Sequence, residues 1–306
     1  MPNNSRLISF CFFLVLSLNI LANPDSLKTM VKDTSEFEPL GKLILSEGTT
    51  VLQKNSIQFF VDRRFDWINE KGSAHTFFGI DVPTDYRIGL NFGLSNKIQA
   101  GLSRSKNNEI FEGVIKLQLL KQSNEKKMPV SVVGLLSAGI TAKSKKELYP
   151  DGAIVNQQGS LTHRTIYFSK IIVSRSFKKR FYSQVFFGYH HRNMIIKDSN
   201  RINGALDRNG VLFAGTGIDF RLNKKISVVA DYYHVFSAFR KENPNFIYGN
   251  PFSFGLSFIG RGYNFLCNFS NSISASGINF VSNENGGRFF RGKFNLGISL
   301  IKTLRL

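Results

Sequence analysis

The side chains able to do acid–base or nucleophilic chemistry are few and badly spaced for it. His190 and His191 are adjacent, and Asp231 and His234 lie three positions apart. On an extended strand either spacing sends the two side chains to opposite faces, so neither pair makes a dyad. Asp219 and His190 would stand near opposite ends of neighbouring strands, six or more residues of rise apart at roughly 3.3 Å each. His75 and His163 fall on or beside stretches read as loops. There His163 with Asp151 stays open as a loop dyad, which keeps a barrel enzyme acting on lipid or peptide as an alternative. No clustered spacing of His, Cys or carboxylate suits a metal. Gly215-x-Gly217 sits within a strand pattern with no helix after it, so it is no phosphate loop. Cys267 shares the parity of apolar neighbours and reads as a small apolar residue. No catalytic residue, metal or cofactor follows from these patterns.

The other chemistry on offer is charge. The chain of 306 residues has 40 Lys+Arg against 21 Asp+Glu, a formal +19. Such a balance first suggests nucleic acid. Its first residues argue otherwise. One base, Arg6, precedes an apolar run from Leu7 to Ile20 and then Ala22, the three parts of a secretory signal peptide at 1–23. An exported chain never meets cytoplasmic nucleic acid, so no nucleic-acid partner is expected. Removal of 1–23 also takes Cys11, leaving Cys267 alone and excluding an intramolecular disulfide.

The elements that would position the charges are strands. Phe 30 and Gly 26 beside Pro 8 favour a many-stranded β architecture. From about Ser56, apolar residues recur with period two to the C-terminus. Tyr86, Ile88, Leu90, Phe92 and Leu94 alternate with Arg87, Gly89, Asn91 and Gly93. About twelve such segments occur, near 56–67, 84–94, 96–104, 109–121, 129–142, 162–176, 180–192, 210–222, 224–236, 251–260, 263–271 and 290–301. Connections after even-numbered segments are tight, and most of those after odd-numbered segments are long. That alternation, with segments of about 9–15 residues, predicts an all-β fold: an antiparallel up-and-down transmembrane β-barrel of about 12 strands in the outer membrane, turns in the periplasm and loops outside.

Parity then sorts the side chains. Ile57, Phe59, Ile88, Phe92, Leu102, Val185, Phe187 and Phe254 would face lipid. The candidate lumen-lining residues are Asp62, Arg64, Arg87, Glu112, Lys116, His190, Asp219, Asp231, Arg291 and Lys293. Tyr189, His191, His234 and Phe236 would form an aromatic girdle near the loop ends. Most strand glycines fall on the lumen parity, where they either let the sheet bend or let something approach the wall closely. Residues 24–53 hold five acids and three bases, against +20 on 54–306. They read as an N-terminal periplasmic or plug-like extension docking against a basic barrel at 54–306.

Several short motifs carry a resemblance. They include Phe59-Phe60-Val61-Asp62-Arg63-Arg64-Phe65, Phe78-Gly79-Ile80-Asp81, Tyr86-Arg87-Ile88-Gly89-Leu90, Gly101-Leu102-Ser103-Arg104-Ser105 and Gly262-Tyr263-Asn264-Phe265. In this order the chain from Phe37 onward resembles a family of Gram-negative outer-membrane β-barrels of unknown function. The resemblance implies a barrel and a location and supplies no activity. The residues themselves favour a narrow passive conduit or binding barrel for small, anionic solutes. A structural barrel with a sealed, salt-bridged lumen is the alternative, and outer-membrane lipid is the expected surrounding partner.

Overall fold

A computed structural model describes residues 41–68, 73–123, 127–143, 161–178, 180–193, 195, 199–244, 248–283 and 287–306. The expected signal segment, residues 24–40 and Asp151 lie outside the described residues. Twelve strands run in chain order: β1 (Ser56–Trp67), β2 (Pro83–Ser95), β3 (Ile98–Ser105), β4 (Ile110–Leu120), β5 (Ser131–Thr141) and β6 (Thr165–Phe177). They continue as β7 (Phe181–Arg192), β8 (Gly210–Arg221), β9 (Ile226–Phe236), β10 (Phe252–Gly260), β11 (Tyr263–Ser270) and β12 (Asn295–Arg305). Each pairs antiparallel with its sequence neighbour, and β1 pairs with β12 from Ser56↔Arg305 to Trp67↔Asn295, closing the barrel. Eleven strands lie within a few residues of the expected segments. The twelfth starts at Asn295 instead of 290, because Phe289 and Phe294 pack edge-to-face on Phe252 and Phe269 outside β10 and β11, with centroids 4.8 and 5.8 Å apart.

Alternation of polar and apolar residues puts the apolar set outside. Leu102, Leu136, Ile171, Val185 and Phe187 are all more than half exposed, a surface that only hydrocarbon can cover without penalty. Near the ends of β7 and β9, away from the tight turns, the rings of Tyr189 and His191 lie 6.2 Å apart and those of His234 and Phe236 meet edge-to-face at 4.7 Å. No helix among the described residues is long and apolar enough to cross a membrane.

Inside, the barrel differs from a uniformly polar lumen. The inward faces of β5 to β9 carry Leu135, Phe168, Ile172, Phe186, Phe213 and Tyr233, all buried. Phe168 and Phe213 stack at 4.8 Å and Phe186 meets Tyr233 at 4.5 Å. The reason is that this half of the wall faces protein. Residues 41–53 fold into the lumen from the turn end, and the connection between β11 and β12 enters from the loop end. The latter carries helix α1 (Gly277–Asn283), whose Ile278, Phe280 and Val281 are buried, Phe280 lying 4.8 Å from Tyr233.

The outward parity makes a direct prediction. Leu102→Arg puts a charge on the outer belt and should cost about 2–4 kcal/mol if its site lies near mid-depth. Equilibrium unfolding of the refolded barrel in lipid vesicles measures this, and an unchanged midpoint would refute the lipid-facing assignment.

Candidate functional site

The N-terminal segment is a tight loop held by its own backbone and then by the wall. Leu43 N–H donates to the Ser46 carbonyl at 2.8 Å and Gly48 N–H to that of Gly41 at 3.0 Å. This turn aims three successive amides at one carboxylate. Asp231 Oδ2 on β9 accepts from the N–H groups of Ile44, Leu45 and Ser46 at 3.2, 2.8 and 2.9 Å, and from Ser46 Oγ at 3.1 Å. Converging amides of this kind form an anion nest, and the anion here belongs to the wall.

Further along, the segment touches β7, β4 and β3 in turn. Thr49 N–H donates to Tyr182 Oη at 3.2 Å, and Gln184 Nε2 donates to Ser46 Oγ at 3.0 Å. Lys116 Nζ donates to the carbonyls of Thr50 at 2.6 Å and Gly41 at 3.2 Å. Leu52 N–H reaches Gln99 Oε1 at 3.1 Å, after which the chain turns into β1. Lys42 pairs with Asp62, whose Oδ2 also lies 3.9 Å from Arg87.

Two inward glycines make the approach possible. A Cβ on Gly93 would collide with the Gln53 carbonyl, and one on Gly217 with the Leu43 side chain. Most of the other inward glycines meet wall side chains instead, Gly89 against Phe60 and Gly297 against Arg64, so they make room within the sheet's own lining.

The loop-end segment closes the lumen by a second set of contacts. Ser276 Oγ and Ser137 Oγ donate to Glu112 at 2.9 and 2.6 Å, and Arg87 Nη2 lies 3.0 Å from the same carboxylate. Asp85 accepts from Ser274 Oγ at 2.9 Å and from the Ala275 amide at 3.0 Å. His190 Nε2 lies 3.1 Å from the Ile278 carbonyl. Two carboxylates from the wall thus hold each inserted piece of chain.

Of the residues singled out from sequence, Asp62, Arg87, Glu112, Lys116, His190 and Asp231 are buried and take part in this closure. Arg64 is buried and donates to Asn268 Oδ1 at 2.6 Å. Asp219, buried in register with Tyr182, makes none of these contacts. Arg291 and Lys293 are not on a strand. Arg291 is exposed in the single turn Phe289–Arg291, and Lys293 lies with its Nζ 5.8 Å over the Trp67 ring. Both stay at the rim because the aromatic stacking that delays β12 keeps them there. Among the described residues none of the strand histidines meets a carboxylate: His191 contacts Tyr189 and Asn193, and His234 contacts Tyr232 and Asn250. Among the described residues no group of His, Cys, Asp and Glu is placed to hold a metal.

Lys42, Asp85, Lys170 and the serines of 270–276 were not singled out from sequence. A signal for the last existed, since Leu266 to Asn283 contains no charged residue. An uncharged connection of that length reads better as buried chain than as an external loop.

A family model described as "Membrane bound beta barrel domain (DUF5777)" matches residues 40–304. No curated protein matches the chain. Among solved structures, a NanC porin shares 9% identity over 80% of this chain and 98% of its own, with a TM-score of 0.48. A KdgM porin shares 7% over 82% and 99%, with a TM-score of 0.42. The Acinetobacter baumannii outer membrane protein Omp33 shares 10% over 83% and 99%, with a TM-score of 0.38.

The Asp231 contact makes a test of the latch. Asp231→Ala removes the acceptor of four hydrogen bonds, each charge-assisted bond being worth about 1.5–3 kcal/mol. With Leu43→Cys as a buried reporter in a Cys267→Ser background, thiol labelling should speed up at least tenfold when Asp231→Ala is added. Equal rates would show that the nest does not hold the segment.

Proposed function

Because the chain belongs to the family of membrane-bound β-barrel domains, we propose that it is an outer-membrane barrel kept shut by its own N-terminal segment. Small solutes pass only when that segment leaves the lumen. The observation that carries this reading is how residues 41–53 are held. They are fixed by side chains of the wall that would be hydrophilic without them: Asp62, Gln99, Lys116, Gln184 and Asp231. Such a stopper, whose buried apolar side chains are Leu43, Ile44 and Leu45, can exchange most of its polar partners for water as it leaves. One welded in by a large apolar core cannot do so at comparable cost.

In this reading residues 1–23 are the export signal, 24–53 the extension, and 54–306 the barrel, with the turn end in the periplasm and lipid around the belt. The extension then enters from the periplasmic side. Arg87, Lys116 and Lys170 stand with Glu47 and Glu112 around one cavity in the lumen, and three bases against two acids there favour small anions. Arg291 and Lys293 stand outside that selection because they lie at the rim. A second reading is a permanently sealed structural barrel, favoured by the independent closure from residues 271–283. Neither reading needs catalysis.

Planar-bilayer recording separates them. Intact protein should be nearly silent. Deletion of 24–53 should give intermittent steps, and further replacement of 272–283 by a short linker should give steadier, anion-selective ones. Silence of the doubly trimmed, refolded barrel would overturn the conduit and leave the sealed one.

A further inference from the structure

Between the two closing segments lies a cavity of about 40 Å³. Arg87, Glu112, Lys116 and Lys170 reach it from the strands, Glu47 from the N-terminal segment, and Gly277 from α1. Its charges do not balance by direct contact. Arg87 and Glu112 satisfy each other at 3.0 Å. Asp62 is paired with Lys42, and Asp231 is turned to the amides of 44–46. That leaves Lys116 and Lys170 without an ion pair of their own, with Glu47 lining the same cavity.

Both lysines are buried, with Lys170 4% exposed. Lys116 Nζ donates to two neutral carbonyls. Lys170 Nζ has a single hydrogen bond, to Tyr233 Oη at 3.4 Å, and sits 5.1–5.9 Å from the ring centroids of Phe186, Phe168 and Tyr233. Among the described residues neither ammonium has a carboxylate within 4 Å. Rings attract a cation through their faces but carry no countercharge. A buried ammonium with no opposite charge in contact is costly, and two such ammoniums line this cavity.

We propose that this cavity is a binding site for one small monovalent anion of halide size, held between Lys116 and Lys170. A volume of about 40 Å³ takes a halide or one to three waters. The proposal rests on the lumen being closed as described, since Leu45 and Glu47 form part of the wall. It also deepens the gating reading. The anion would neutralise Lys116 while that residue holds the Thr50 and Gly41 carbonyls, so halide binding stabilises the closed state.

The test uses the full chain. Crystals grown in sodium bromide should show one anomalous peak within hydrogen-bond reach of Lys170 Nζ. In detergent, the unfolding midpoint should be higher in bromide than in gluconate at equal ionic strength, as expected for a ligand bound only by the folded state. Lys170→Met, which keeps the aromatic packing, should abolish the peak and weaken bromide binding at least tenfold. Lys302→Met, over the Tyr263 ring on the outer side, should change neither. Absence of the peak in the wild type, or its persistence in Lys170→Met, would overturn the site. The conduit is judged separately by conductance of the trimmed barrel, so failure of either leaves the other identifiable.

Discussion

In hydrocarbon a β-sheet has no edge to spare. Every backbone N–H and C=O of a spanning strand must be paired, and the last strand can find partners only by returning to the first. The β1–β12 pairing follows from that requirement, and so does most of what else the molecule contains. Once the sheet closes, it encloses a fixed volume that side chains from twelve strands have to fill or leave to water. This chain fills it with side chains and with two further pieces of its own backbone.

Inserting backbone into a lumen creates amides and carbonyls that need partners, and the wall is built to provide them. Asp231 and Asp85 take amides, Lys116 takes carbonyls, and Glu112 takes serine hydroxyls. The wall from β5 to β9 also carries aromatic side chains, and these receive apolar groups of the inserted chain, Phe280 against Tyr233 among them. Each inserted segment is therefore amphipathic in a local sense, although neither shows a long period in sequence. The charge noticed first in composition has a structural use here, being spent on backbone as much as on opposite charge.

The fold was legible in the sequence because lipid outside enforces strict parity. Each strand from β1 to β11 could be placed within a few residues by alternation alone. The start of β12 could not, since Phe289 to Phe294 keeps an aromatic content that reads as strand while stacking across the outer rim. Inward residues such as Asp62, Glu112 and Asp231 followed from the same parity. Their partners did not, because alternation says which way a side chain points and nothing about what enters the lumen to meet it. Lys170 was hidden for a related reason: its inward neighbours Phe168 and Ile172 are apolar, so its strand reads as two-sided. The glycines were half legible. Gly93 and Gly217 give way to the inserted chain, and Gly89 and Gly297 to neighbouring side chains, a distinction that only coordinates reveal.

The contacts of residues 41–53 join β1, β4, β7 and β9, with the Asp231 acceptor 185–187 positions away along the chain. Loop closure over such distances carries its full entropic cost until the intervening strands are in place. Asp62, Lys116, Tyr182 and Asp231 stand on β1, β4, β7 and β9, so the segment meets its full set of partners only when that run of strands has curved round it. Docking thus depends on a wall already curved into shape, and the segment reads out the geometry of strands far from it in the chain.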